Sequence, residues 1–180
     1  MHIAYVLSPE AGRADRLLCD IAGRLMGEGL LLCGVVQRET PTGTGYRCHM
    51  DLRLLPDGPD LRISQDRGAL ARGCRLDAEA LETAVLQTIR RLTPDTDLLI
   101  VNKFGKHESM GRGFRQAIAQ AVELDVPVLL GVNPMNLEAF EHFTGSGAVR
   151  LESTVTAVQS WLRCPALAQG TASHRTMQLG

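Results

Sequence analysis

The stretch IAYVLSPEAGRADRLLCDIAGRL, residues 3–25, decides how the rest of the chain is to be read. Ile3 to Leu7 is an unbroken apolar run, the pattern of a strand buried on both faces. Ala14 to Met26 carries apolar residues at 17, 18, 21, 22 and 25, the spacing of one helix face. Strand, turn and helix form a βα unit, the setting of a phosphate-binding loop. The P-loop pattern GxxxxGK[ST] uses glycines to turn backbone N–H groups onto phosphate, a lysine to reach the outer oxygens and a hydroxyl to hold Mg²⁺. The window Leu7 to Ala14 keeps only the second glycine, as Gly12. Leu7 stands at the first glycine, Arg13 replaces the lysine and Ala14 replaces the hydroxyl residue. What remains is an anion-attracting helix N-terminus with Ser8, Gly12 and Arg13 around it.

Outward from this unit, strand and helix patterns alternate. LLLCGVVQ (30–37) is a second apolar run, and the turn-rich ETPTGTG (39–45) follows it. YRCHMDLRLL (46–55) alternates, with Tyr46, Cys48, Met50, Leu52 and Leu54 on one face, and PDGPD separates it from LRIS (61–64). These segments predict an antiparallel hairpin inserted in an otherwise parallel sheet. From Asp77, a fitting N-cap, an amphipathic helix leads to the strand DLLIVN (97–102). Next come the loop KFGKHESMGRG, the helix FRQAIAQAVEL, the strand PVLLGVN (127–133), a helix near 136–143, a short piece near 148–151 and a last helix through Leu162. The expected architecture is a three-layer α/β domain with a mostly parallel sheet over residues 1–163, with 164–180 as a disordered tail.

Composition narrows the function. A formal net charge of -1 offers no bulk attraction to nucleic acid or anionic lipid, and 4% aromatic residues leave few stacking platforms for single strands. No window reaches the roughly 18 apolar residues of a membrane span, which predicts a cytoplasmic protein. The five cysteines contain no CxxC pair, so a disulfide framework is not expected.

An NTPase site also needs an acid at the end of a central strand to hold Mg²⁺ or polarise water. Here that strand ends in Asn102 and Lys103. The segment LDAEALETAVLQTIRRLTPDTDLLIVNKFGKHESMGRGFRQAIAQAVELDVPVLLGVN, with GVVQRETPTGTGYRCHMDLRLLPDG before it, resembles the thermophile-type nucleoside-triphosphatases. ISQDRG, GCRLD and NKFGKHE are more similar to a bacterial family of unknown function related to those enzymes. The resemblance, over about residues 1–150, implies the P-loop fold. It places Gly12 in the phosphate loop, Asn102 and Lys103 on an acidic pair, and Gly105 and Glu108 on a following Gly and Glu. The departures fall on residues that hydrolysis needs, so an efficient NTPase is not expected. Genes of the related family often lie near molybdate-transport genes, which implies a link to molybdenum.

The expected ligand is a nucleotide or another oxyanion such as molybdate, bound by Ser8, Gly12, Arg13, Asn102, Lys103 and Lys106 with little or no hydrolysis. The loop with Lys103, Lys106, His107, Glu108 and Arg112 lies beyond the carboxyl end of a strand, where open α/β sheets bind ligands. Glu108 is the one candidate for orienting a water. Arg67, Arg72 and Arg75 suggest a second anion-binding loop or a lid. A rival reading is a molybdenum- or metal-handling accessory protein with Cys48, His49 and Cys74 as soft ligands. A third is an interaction scaffold without a small ligand. Cys19 and Cys33 are expected in the core, and exposed apolar residues of the hairpin could join subunits in a homo-oligomer.

Overall fold

The computed structural model describes residues 2–7, 12–41, 48–65 and 76–163. Seven strands form one sheet: β1 (Ile3–Leu7), β2 (Leu32–Pro41), β3 (Cys48–Leu55), β4 (Asp60–Arg62), β5 (Leu98–Phe104), β6 (Val128–Val132) and β7 (Val149–Leu151). Their spatial order is β4-β3-β2-β5-β6-β1-β7. The pairs β2–β5, β5–β6, β6–β1 and β1–β7 are parallel, whereas β2–β3 and β3–β4 are antiparallel. The expected hairpin is therefore one end of the sheet. β2 runs on to Pro41, inside the stretch expected to turn, because β3 supplies ladder partners for residues 38–41, from Arg38 opposite Asp51 to Pro41 opposite Cys48.

Among the described residues six α-helices flank the sheet: α1 (Arg13–Gly27), α2 (Ala78–Arg91), α3 (Lys106–Ser109), α4 (Arg115–Glu123), α5 (Leu137–Thr144) and α6 (Val155–Arg163). One core layer joins Leu81, Ala84 and Val85 of α2, Ala117 and Ile118 of α4 and Phe140 of α5 to one face of the sheet. The other packs Leu18, Ile21, Ala22 and Leu25 of α1, with Val158 and Trp161 of α6, against Ala4, Val6, Leu98, Ile100 and Leu129. Alternation along each central strand feeds both layers, which is why these strands read as continuous apolar runs. Leu98 and Ile100 face α1 while Leu99 and Val101 face α2 and α4. Asp77 caps α2 as expected, accepting from the N–H groups of Glu79 and Ala80 at 3.1 Å each. No helix among the described residues is long and apolar enough to cross a membrane.

The loop expected after β5 contains the one-turn helix α3, and Glu108 explains why that turn forms. Its carboxylate is buried, accepting from Gly105 N–H at 2.9 Å and from Phe114 N–H at 3.1 Å. It thereby ties the start of α3 to the start of α4. Glu108→Ala leaves two inward-facing amides without their acceptor and is expected to cost about 2–4 kcal/mol of stability, with Glu108→Gln losing less. Urea denaturation of the two variants measures the difference.

Candidate functional site

At the carboxyl end of β1, Gly12 takes a left-handed conformation (φ 75) and opens α1 as its N-cap. Asp15, in the first turn, favours the helix dipole at that end. Its side chain points inward rather than to solvent: Asp15 is 4% exposed. With Leu18, Ala22 and Leu25 it lies along the buried stripe of the helix.

The carboxylate reaches across to β5 and β2. Asn102 Nδ2 donates to Asp15 Oδ1 at 2.8 Å, and Gln37 Nε2 approaches Asp15 Oδ2 at 3.4 Å. Asn102 Oδ1 in turn accepts from the Gln37 backbone N–H at 2.8 Å. The Cys19 thiol completes the link by donating to the Gln37 carbonyl at 3.2 Å. Burial pushes the Cys19 thiol above its ordinary value; Arg38 opposes this, and Asp15 and Asp20 add to it. The thiol is thus held protonated, the form that donates. Four side chains from three elements hold the first turn of α1 to the sheet.

Asn102 reaches this position because it follows Leu98 and Ile100 on the face of β5 that α1 covers, and the strand becomes irregular beside it. The register of β5 with β6 shifts between Val101 and Phe104. A Cβ on Gly131 of β6 would collide with the Asn102 carbonyl oxygen and approach Leu18 Cδ1 at 3.3 Å. Gly131 therefore makes room for both the irregular strand and the helix above it.

Beside the cluster, Gly12, Asp15, Arg16, Cys19, Asp20, Gln37 and Arg38 line an open cleft of about 340 Å³. Of the expected ligand residues, Gly12 lines this cleft and Asn102 supports its floor through Asp15. Arg13 is exposed as the first residue of α1. Lys103 and Lys106 are exposed and do not line the cleft; Lys103 follows buried Asn102 along β5, and Lys106 opens α3. Ser8, Cys74, Arg67, Arg72 and Arg75 lie outside the described residues, as does the side chain of Cys48. His49 Nδ1 is buried and has no hydrogen-bond partner among the described residues. Among those residues no group of three or more His, Cys, Asp or Glu could hold a metal ion.

Cys33 is in the core as expected, and burial pushes its thiol up to about 11. Cys19 is half-buried and belongs to the cleft wall as well as to the helix packing. Asp15 and Gln37 were not among the sequence candidates. The available signal for Asp15 was an acid at the head of an apolar stripe, three residues before Leu18.

A strand, a left-handed glycine and a helix at the carboxyl edge of a mostly parallel sheet, with an antiparallel extension at one side, define a protein of the P-loop NTPase fold. The chain belongs to the family described as "Protein of unknown function (DUF2478)", whose model matches residues 3–161. It is 34% identical over 161 residues to the molybdenum import ATP-binding protein ModC 2 of Bradyrhizobium diazoefficiens. The match covers 89% of this chain and 18% of that relative's length. THEP1 from the hyperthermophile Aquifex aeolicus superposes with a TM-score of 0.65 at 14% identity, covering 90% of this chain and 99% of its own. A human cancer-related nucleoside triphosphatase gives 0.61 at 18% identity, covering 83% and 87%. The two structures establish the fold.

Proposed function

We propose that this protein binds a nucleotide or another oxyanion at the amino end of α1 and hydrolyses it little or not at all. The observation that carries the reading is the state of Asn102 in the last part of β5. Asn102 is 3% exposed, and its amide donates to Asp15 while its carbonyl oxygen accepts from Gln37. An amide so engaged supplies neither a negative charge nor a proton acceptor for an attacking water. Ala14 has no hydroxyl, and the Glu108 carboxylate is occupied by two backbone amides.

Binding has better support than turnover. Gly12 opens the helix at the edge of the sheet, where the helix dipole favours an anion, and Arg13 and Arg16 follow in the first turn. The P-loop fold implies a nucleotide carried with Mg²⁺, which is bound through one or two carboxylates plus substrate phosphates. Asp15 does not fit the ion: it is 4% exposed, and both its carboxylate oxygens already accept from amides. The names of the relatives favour ATP, other nucleoside triphosphates and molybdate as the ligands to try.

A thermal-shift screen of the full chain against ATP and GTP with Mg²⁺, phosphate and molybdate tests the proposal. A ligand at 100 times its Kd stabilises by about 2.7 kcal/mol, and for a chain of this size that moves the midpoint by several degrees. The expected result is a shift with a nucleotide or molybdate that weakens in Arg13→Ala, together with phosphate release no faster than the uncatalysed background. Silence with every anion sinks the reading. A soft-metal role for His49, with Cys48 and Cys74, is the second reading, favoured by the unpartnered buried Nδ1. A shift with Zn²⁺ alone, lost in His49→Ala, would replace the first reading with it.

A further inference from the structure

We infer that the cavity between the start of α2 and the turn joining α3 to α4 binds a small zwitterion of the amino-acid type. Its carboxylate meets Arg112 and His107, and its ammonium meets Glu82. The cavity measures about 410 Å³, within the range of small-molecule sites, and shares no lining residue with the cleft at α1. The inference does not depend on what that cleft binds.

Three helices fix the side chains around it. In α2, Leu81, Ala84 and Val85 face the core, which leaves Ala78 and Glu82, one turn apart, on the cavity wall. Glu82 Oε1 accepts from the Gly113 N–H at 3.2 Å and so ties α2 to the start of α4. The carboxylate is held at the wall instead of swinging in solvent. Opposite, the Arg112 N–H donates to the His107 carbonyl at 2.9 Å, closing the turn that brings both side chains to the cavity. The two bonds of buried Glu108, to Gly105 and Phe114, brace this turn from within. Gln116, in the first turn of α4, adds a side-chain amide.

The charges on this wall are opposite in sign and unused. Arg24, Arg53, Arg62 and Arg91 each have a carboxylate partner. The Arg112 guanidinium has no hydrogen bond or ion pair among the described residues, and the side chains of His107 and Gln116 have none either. Arg112 and Glu82 line one cavity without pairing, so a cation and an anion face a shared space. A simple anion there would meet Arg112 but be opposed by Glu82, and a simple cation would meet the reverse. A zwitterion satisfies both. The guanidinium fork matches a carboxylate with two parallel hydrogen bonds, and Glu82 Oε2, which Gly113 does not use, accepts from an ammonium. The rest of the cavity, beside Ala78 and Gln116, takes the ligand's own side chain.

Titration calorimetry of the full chain with a panel of the standard α-amino acids tests this. For the tightest of them, the titration is repeated with its amide, which lacks the carboxylate, and with its deaminated acid, which lacks the ammonium. One charge-assisted hydrogen bond is worth about 10- to 150-fold in affinity, so each analogue should bind at least about tenfold more weakly than the amino acid. Arg112→Ala should weaken the amino acid by about tenfold or more and leave the amide nearly unchanged. Glu82→Gln, which keeps an oxygen for the Gly113 N–H, should weaken the amino acid but not the deaminated acid. No binding of any amino acid at millimolar concentration overturns the inference. A deaminated acid that binds as tightly as its amino acid makes this a plain anion site and overturns it too; both results need only the parent protein. Binding that survives both substitutions puts the ligand elsewhere and overturns it as well.

Discussion

Asn102→Asp should be among the most damaging single-atom exchanges in this protein, and adding Asp15→Asn should reverse most of the damage. The exchange turns a donor that sits 2.8 Å from Asp15 Oδ1 into an acceptor, between residues only 3% and 4% exposed. A hydrogen bond to a carboxylate is lost and replaced by repulsion between two carboxylates. Two unit charges about 4 Å apart interact by about 4 kcal/mol at an effective dielectric of about 20. The single variant is therefore expected to lose about 3–5 kcal/mol and melt about 10 °C lower. In the double variant one carboxylate again faces one amide, and the Gln37 N–H still finds an oxygen on β5. Urea midpoints of the parent, the two single variants and the double variant form a cycle that isolates the coupling. If the double variant is no more stable than the worse single one, the Asp15–Asn102 pair does not work as described.

The second large effect is expected from Gly131→Ala. The new Cβ would meet the Asn102 carbonyl oxygen, a backbone atom of the neighbouring central strand, and would press on Leu18 Cδ1 at 3.3 Å. Neither neighbour can swing aside as a flexible surface chain would. Overpacking of this kind costs about 1–3 kcal/mol in a core, and a contact with backbone belongs at or above the upper end. The variant is expected to unfold about 3 kcal/mol more easily and to bind any ligand of the cleft more weakly, because the displaced strand carries Asn102. Thermal melting and calorimetric titration measure the two losses separately. A variant that melts like the parent would mean that β5 tolerates the shift.

The order of strands and helices was legible because it depends on local period. Runs such as Leu98–Val101 and Val128–Val132 could only be strands feeding two cores, and Leu18, Ile21, Ala22 and Leu25 could only be one face of a helix. The hairpin of β2, β3 and β4 was visible in its alternation, and Asp77 in its position ahead of an apolar stripe. The one-turn helix α3 was not. Its four residues show no period, and it exists because a glutamate accepts from amides on either side of it.

The site divides along the same line. The sequence alone determined a βα unit with a glycine before its helix, a phosphate loop stripped of its lysine and hydroxyl, and a central strand ending in an amide where an acid belongs. It also placed Gly12 and Asn102 among the residues to examine. Only the tertiary structure decided that an acid is nevertheless present. Asp15 and Asn102 are separated by 87 residues, and Gln37 lies between them in the chain. Periodicity reports which face of an element is buried, but it does not say which element lies opposite. In isolation an aspartate in the first turn of a helix satisfies the dipole and faces water. It becomes a buried charge on two amides only when α1 packs across β6 and β5, a placement fixed by the apolar stripe beside it and by the missing side chain of Gly131.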